Sequence, residues 1–186
     1  MKETSQRIIS RYAMNTKLLP VEPFQETLYG SYCGPASLKM ILDYWHIHKT
    51  EEEAAAACHR DPELGTDDAA LKKAAESYGL EVEIENNASF GSIRRWLDRG
   101  IPVIVDWFTR GRKEYGDEEV PDGHYSVVVG LDDSHIYLQD PEIGGLRTLE
   151  RDDFTRVWFD FKPAFINSWD DMIIRQLIAI YPPDRT

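Results

Sequence analysis

Cys33 stands directly before Gly34 and Pro35, where an apolar helical pattern begins. Unpaired N–H groups and the dipole at a helix N-terminus favour a thiolate over a thiol, so the position suits a nucleophile. A thiolate that attacks a carbonyl needs a partner to hold a proton and pass it to the leaving group, the usual role of histidine. Of the five histidines, His124 has the most informative setting: it follows the Asp122-Gly123 step and opens a strand pattern that runs to Gly130. Hairpin arithmetic supplies a third member. If the turn is Leu131-Asp132-Asp133, with residues 130 and 134 paired, His124 lies opposite Asp140 on a shared face. A four-residue loop would instead pair His124 with Pro141 and turn Asp140 away, unless a bulge restored the phase. On the shared face, Asp140 would orient the imidazole and stabilise its charged form.

The elements that must hold these residues are legible in outline. Leu38, Ile41, Leu42 and Trp45 recur at helical spacing after Pro35, whose missing N–H suits a first turn. The pattern predicts further helices near Asp67–Tyr78 and Ser89–Arg99, closed by Gly79 and Gly100, with Ser89 as an N-cap. After Gly100, β-branched runs predict strands at Ile101–Trp107, Tyr125–Gly130, His135–Gln139, Leu146–Leu149 and Met172–Tyr181. Helices followed by strands argue for an α+β fold. The charged, glycine-containing segment 110–123 before His124 is expected to be a lid or specificity loop.

Composition narrows the function classes. The 186 residues favour one domain spanning 1–186, with an N-terminal arm of about residues 1–17. A net charge of −12 argues against a nucleic-acid partner. The apolar runs are too short for a membrane segment, and the first 20 residues do not resemble a secretory signal, so a cytoplasmic location is expected. Two cysteines, Cys33 and Cys58, suit free thiols in a reducing compartment. Cys58 follows four alanines and reads as structural. A lone cysteine before a helix is more often a small buried residue, but the His124 and Asp140 settings reverse that weighing. His46 and His48 are two residues apart, on different helix faces, which disfavours a metal pair. His59 and His135 read as structural, the acids Asp61, Glu63, Asp67 and Asp68 as a helix N-terminus, and the five tryptophans as core.

Three stretches carry a family resemblance. Tyr32-Cys33-Gly34-Pro35-Ala36-Ser37-Leu38-Lys39-Met40, Gly123-His124-Tyr125-Ser126-Val127-Val128-Val129-Gly130 and Leu138-Gln139-Asp140-Pro141 together resemble the bacteriocin-processing cysteine peptidases and their stand-alone homologues in the papain clan. The resemblance implies a papain-like α+β fold, with a nucleophile helix carrying Cys33 packed on a mainly antiparallel sheet that carries His124 and Asp140. It also implies an upstream glutamine in the oxyanion hole. Gln25 is the nearest, eight positions before Cys33 and two more than the clan spacing. Its amide, with the Cys33 N–H, would stabilise a developing oxyanion by roughly 3 kcal/mol. The implied activity is thiol-dependent hydrolysis of a peptide or protein substrate by a Cys-His-Asp triad, without a cofactor or metal. The alternatives are an inactive papain-fold peptide-binding module and an acyl or peptidyl transferase. The best-known members are fused to membrane-spanning exporters and cut leaders after a double glycine, a role that does not transfer with the fold.

Overall fold

The computed structural model describes residues 17–109, 122–161 and 168–185. In chain order the elements are α1 (Cys33–Tyr44), α2 (Glu51–Ala57), α3 (Asp68–Ser77), β1 (Glu81–Glu85), α4 (Phe90–Asp98), β2 (Val103–Thr109), β3 (Asp122–Leu131), β4 (His135–Asp140), β5 (Gly145–Glu150), α5 (Arg151–Val157), β6 (Phe159–Phe161), β7 (Met172–Ile174) and β8 (Gln176–Tyr181). Six strands form an antiparallel sheet in the order β1-β8-β2-β3-β4-β5, and β6 pairs with β7 separately.

The central strands are apolar on both faces because both are covered. On one face Ile104, Val127, Val129, Ile178 and Ile180 pack against Leu38, Ile41 and Leu42 of α1 and Leu71 of α3. On the other, Val103, Val105, Val128, Leu177 and Ala179 meet Ile93 and Trp96 of α4, Phe154 of α5 and Trp158. The helix ends follow their capping chemistry. Asp67 accepts from Ala70 N–H, and Ser89 and Ser92 form a reciprocal capping box. Gly79 and Gly100 adopt φ of 81° and 74°, the left-handed stop expected of them. No helix of the described residues is long and apolar enough to cross a membrane.

Four sequence expectations change. The predicted strand Met172–Tyr181 is broken in two at Arg175, which has φ 46°. The β3–β4 connection has four residues between its closing pair, Leu131 and Ile136, where three between residues 130 and 134 were expected. Trp169 is 86% exposed rather than core. Helices and strands also interleave, since β1 precedes α4 and α5 sits between β5 and β6. The expected lid falls mostly outside the described residues.

Candidate active site

Cys33 is placed by α1, as its first residue. Tyr32, its N-cap, contributes no side-chain cap, so the first N–H groups of the helix receive none from it. Gly34 must be small: a Cβ there would approach Thr66 Cβ to 3.0 Å and the Tyr125 ring to 3.4 Å. Those contacts press the start of α1 onto β3, and the Ser37 hydroxyl fastens it further by donating to Tyr125 O at 3.2 Å.

His124 enters from the opposite direction, at the open end of β3. It is 5% exposed, and its Nε2 lies 2.8 Å from Asp140 Oδ1. This leaves Nδ1 clear of Asp140, and Cys33 is near enough to the ring to help raise its pKa. Trp107, paired with His124 across β2 and β3, sets its indole edge-on against the imidazole at 5.8 Å. Burial alone would strip the proton from His124, but hydrogen bonds to Asp140 and Cys33 and their charges outweigh it, so its pKa rises well above the usual imidazole value.

Asp140 reaches the face of His124 by a route that the hairpin arithmetic treated as the exception. The closing pair Leu131 and Ile136 would by itself put the two residues on opposite faces. A bulge between Val128 and Gly130 inserts one extra residue on β3 and shifts the register, so that Val127 pairs with Gln139. His124 and Asp140 then share a face diagonally rather than directly. Arg147 completes the line from the next strand. Its Nε lies 2.6 Å from Asp140 Oδ2 and its Nη2 3.2 Å from Glu142 Oε2, and the guanidinium sits over the Trp107 ring at 5.5 Å. Burial would raise the pKa of Asp140, yet its bonds to His124, the charges of His124 and Arg147 and the Glu142 N–H together lower it.

Gln25 is exposed and runs beside the loop after Asp140, where its Nε2 donates to Glu142 O at 2.6 Å. Its neighbour Glu26 turns inward. The Glu26 N–H donates to Pro141 O at 2.9 Å, and its Oε2 is buried without a hydrogen-bond partner. Burial, with Glu142, Asp140 and Glu51 nearby, pushes its pKa up to about 7, against the charge of His124.

The other candidates separate clearly. Cys58 is fully buried and burial pushes its thiol up to about 12; both cysteines are free. His48 Nδ1 lies 3.0 Å from Asp43 Oδ1, at the far end of α1. A groove of about 960 Å³ at that end, lined by Asp43, Trp45, Lys49 and Arg185, contains none of Cys33, His124, Asp140 and Gln25. Among the described residues His124, Asp140 and Glu142 bring three ligand atoms within 4.8 Å, but Arg147 already supplies the cation to both carboxylates. The sequence reading missed Arg147, Glu26 and Glu142. Arg147 had a usable signal, a cation two residues beyond Gly145, the β5 partner of Asp140.

A helix bearing a cysteine at its N-terminus, laid on an antiparallel sheet bearing histidine and aspartate, defines the class: a papain-like α+β fold. The chain belongs to the Peptidase_C39 like family, whose model matches residues 13–166. It is 31% identical over 132 residues to an uncharacterised protein of Methanothermobacter marburgensis, covering 69% of this chain and 78% of that one. A similar protein of Methanothermobacter thermautotrophicus is 32% identical over 129 residues, covering 68% and 75%. The fold resembles the peptidase domain of Streptococcus ComA, a bifunctional ABC transporter involved in quorum sensing, with TM-score 0.63, 17% identity and coverage of 87% and 98%. It also resembles a C39-like peptidase from Bacillus anthracis (TM-score 0.61, 17% identity, 89% and 97% covered). A double-glycine-motif protease from an AMS/PCAT transporter, solved with its leader peptide, gives TM-score 0.59 at 19% identity, with 90% and 98% covered.

Proposed function

We propose that this chain is a thiol-dependent peptide or amide hydrolase, with Cys33 as nucleophile, His124 as acid and base, and Asp140 as the residue that orients His124. The observation that carries this reading is the buried hydrogen bond from His124 to Asp140, backed by Arg147, with Cys33 at the start of α1 near enough to His124 to raise its pKa. With the proton held on His124, Cys33 Sγ attacks the carbonyl carbon and the carbonyl electron pair moves to oxygen. The Cys33 N–H and the second amide hydrogen of Gln25 are the donors assigned to that oxyanion. His124 then gives its proton to the departing nitrogen as the C–N bond breaks, leaving a thioester. Water attacks the thioester while His124 takes its proton, and the acid departs as the thiolate is restored.

The test pairs turnover with labelling. Wild type should cleave members of a quenched fluorogenic peptide library and take up one iodoacetamide per chain, because buried Cys58 stays in its unreactive thiol form. Cys33→Ala should do neither. Hydrolysis retained in Cys33→Ala overturns the mechanism. Peptide binding that survives the substitution, with wild type unlabelled, would identify a binding module instead.

A further inference from the structure

The sheet face turned toward α1 carries a polar row at its cleft end. Tyr125 pairs with Asp106 and Asp106 with Gln176 across three neighbouring strands, so the three side chains share one face. One step deeper the same face is wholly apolar, with Val127, Ile104 and Ile178 in register. Asp106 and Gln176 are each 1% exposed, an expensive place for a carboxyl and an amide whose hydrogen bonds are incomplete.

Acceptors outnumber donors in this cluster. The Asp106 carboxyl lies against that of Asp160, close enough for the pair to share a proton. Gln176 spends its Nε2 on Asp68 Oδ2 at 3.0 Å and Asn86 Oδ1 at 3.1 Å. Gln176 Oε1 and Thr66 Oγ1 are buried without a partner, and no N–H or hydroxyl donor of the described residues reaches either Asp106 oxygen, which leaves the proton shared with Asp160 as the only hydrogen available to that carboxyl. Among the described residues no lysine or arginine forms an ion pair with Asp68, Asp106 or Asp160.

The cluster adjoins the nucleophile. Thr66 and Tyr125 flank Gly34, the residue after Cys33. Tyr125 feels the charges of Cys33, Asp106, Asp68 and Asp160 together. A Cβ at Gly123 would strike the Asp160 carboxylate, so only glycine lets that acid lie on β3 one residue before His124. A compact metal ion fits less well than an extended cation, because these carboxylates do not bring three ligand oxygens within 4.8 Å of one another. A guanidinium, with five donors spread over a plane, matches several separated acceptors.

We propose that Asp106, Asp160 and Asp68, with Gln176, form a recognition pocket beside Cys33 for the guanidinium of an arginine side chain in the substrate. This rests on the peptide-hydrolase reading for the word substrate, but the binding itself can be measured without turnover. Seating the cation would displace the proton shared by Asp106 and Asp160; the other titratable groups facing them are Asp68, Asp122, Tyr125 and His124.

The experiment titrates Cys33→Ala protein with blocked pentapeptide amides that carry arginine, citrulline or norleucine between flanking glycines, using calorimetry in two buffers of different ionisation enthalpy. Arginine should bind at least tenfold more tightly than isosteric, neutral citrulline and release protons on binding. Asp106→Asn should erase that preference. Asp68→Asn, a change at a half-buried helix position, should weaken it about tenfold and provides the test if the first variant fails to fold. Equal binding of arginine and citrulline, or a preference unmoved by either substitution, overturns the pocket. If Cys33→Ala prefers arginine while wild type cleaves no peptide, the pocket stands and the hydrolase reading falls. If wild type cleaves peptides with and without arginine equally well, the hydrolase reading stands and the pocket falls.

Discussion

Asp140 has no side-chain exposure and would resist ionisation there without help. Arg147 on one oxygen and His124 on the other supply it, so the carboxylate that orients the imidazole is itself held by a guanidinium. This nesting explains how much of the site the sequence exposed. Cys33, His124 and Asp140 announce themselves through motif letters and element ends. Arg147 and Glu26 do not, because their importance comes from cross-strand and loop neighbours that composition cannot display. Asp106 left a fainter trace, one acid in a run of Ile, Pro and Val. Gln25 has the letter but a local partner, the Glu142 carbonyl. If its remaining amide hydrogen serves the oxyanion, Gln25→Ala should lower kcat about 100-fold with little change in KM. A variant that matches wild type would leave the Cys33 N–H, with some other donor, in that role.

At the scale of elements, the site depends on the phase of one hairpin. Helix starts and stops were readable because their chemistry is local: Asp67, Ser89, Gly79 and Gly100 each act within one turn. The bulge at Val129 was not, since the extra residue has the same apolar character as its neighbours and is recognised only from pairing on both sides. β1 was missed for a related reason. Its alternation of glutamates with Val82 and Ile84 is that of an edge strand, short and charged. Deleting Val129 removes the extra residue but keeps Leu131 paired with Ile136 and Val127 with Gln139, so activity and iodoacetamide labelling should both survive. Deleting Gln139, a paired residue of β4, should instead turn Asp140 to the other face and reduce both. A Gln139 deletion as active as wild type would show that register does not hold the triad together.

For the whole molecule, acid groups outnumber basic ones by 33 to 21, and several of the acids lie inside the protein. Glu26 makes a consequence measurable. Its folded pKa of about 7 exceeds the ordinary 4.5, so between those values the folded state binds more protons than the unfolded one. Stability from this group therefore falls as pH rises through that window. Glu26→Gln should raise the Tm relative to wild type at pH 8 and leave it nearly unchanged at pH 4, as read by thermal melts across pH. An equal gain at both values would assign the effect to packing instead of charge. The bulge also has a bearing on how such chains are compared. A relative could keep the cysteine, histidine and aspartate letter for letter and lack one residue between the last two. Where the missing residue is the unpaired one of the bulge, the aspartate keeps its side of the sheet; where it is a paired one, the aspartate belongs to the other side. Where a gap falls, on a paired or an unpaired position, is then as informative a mark of kinship in chemistry as the motifs themselves.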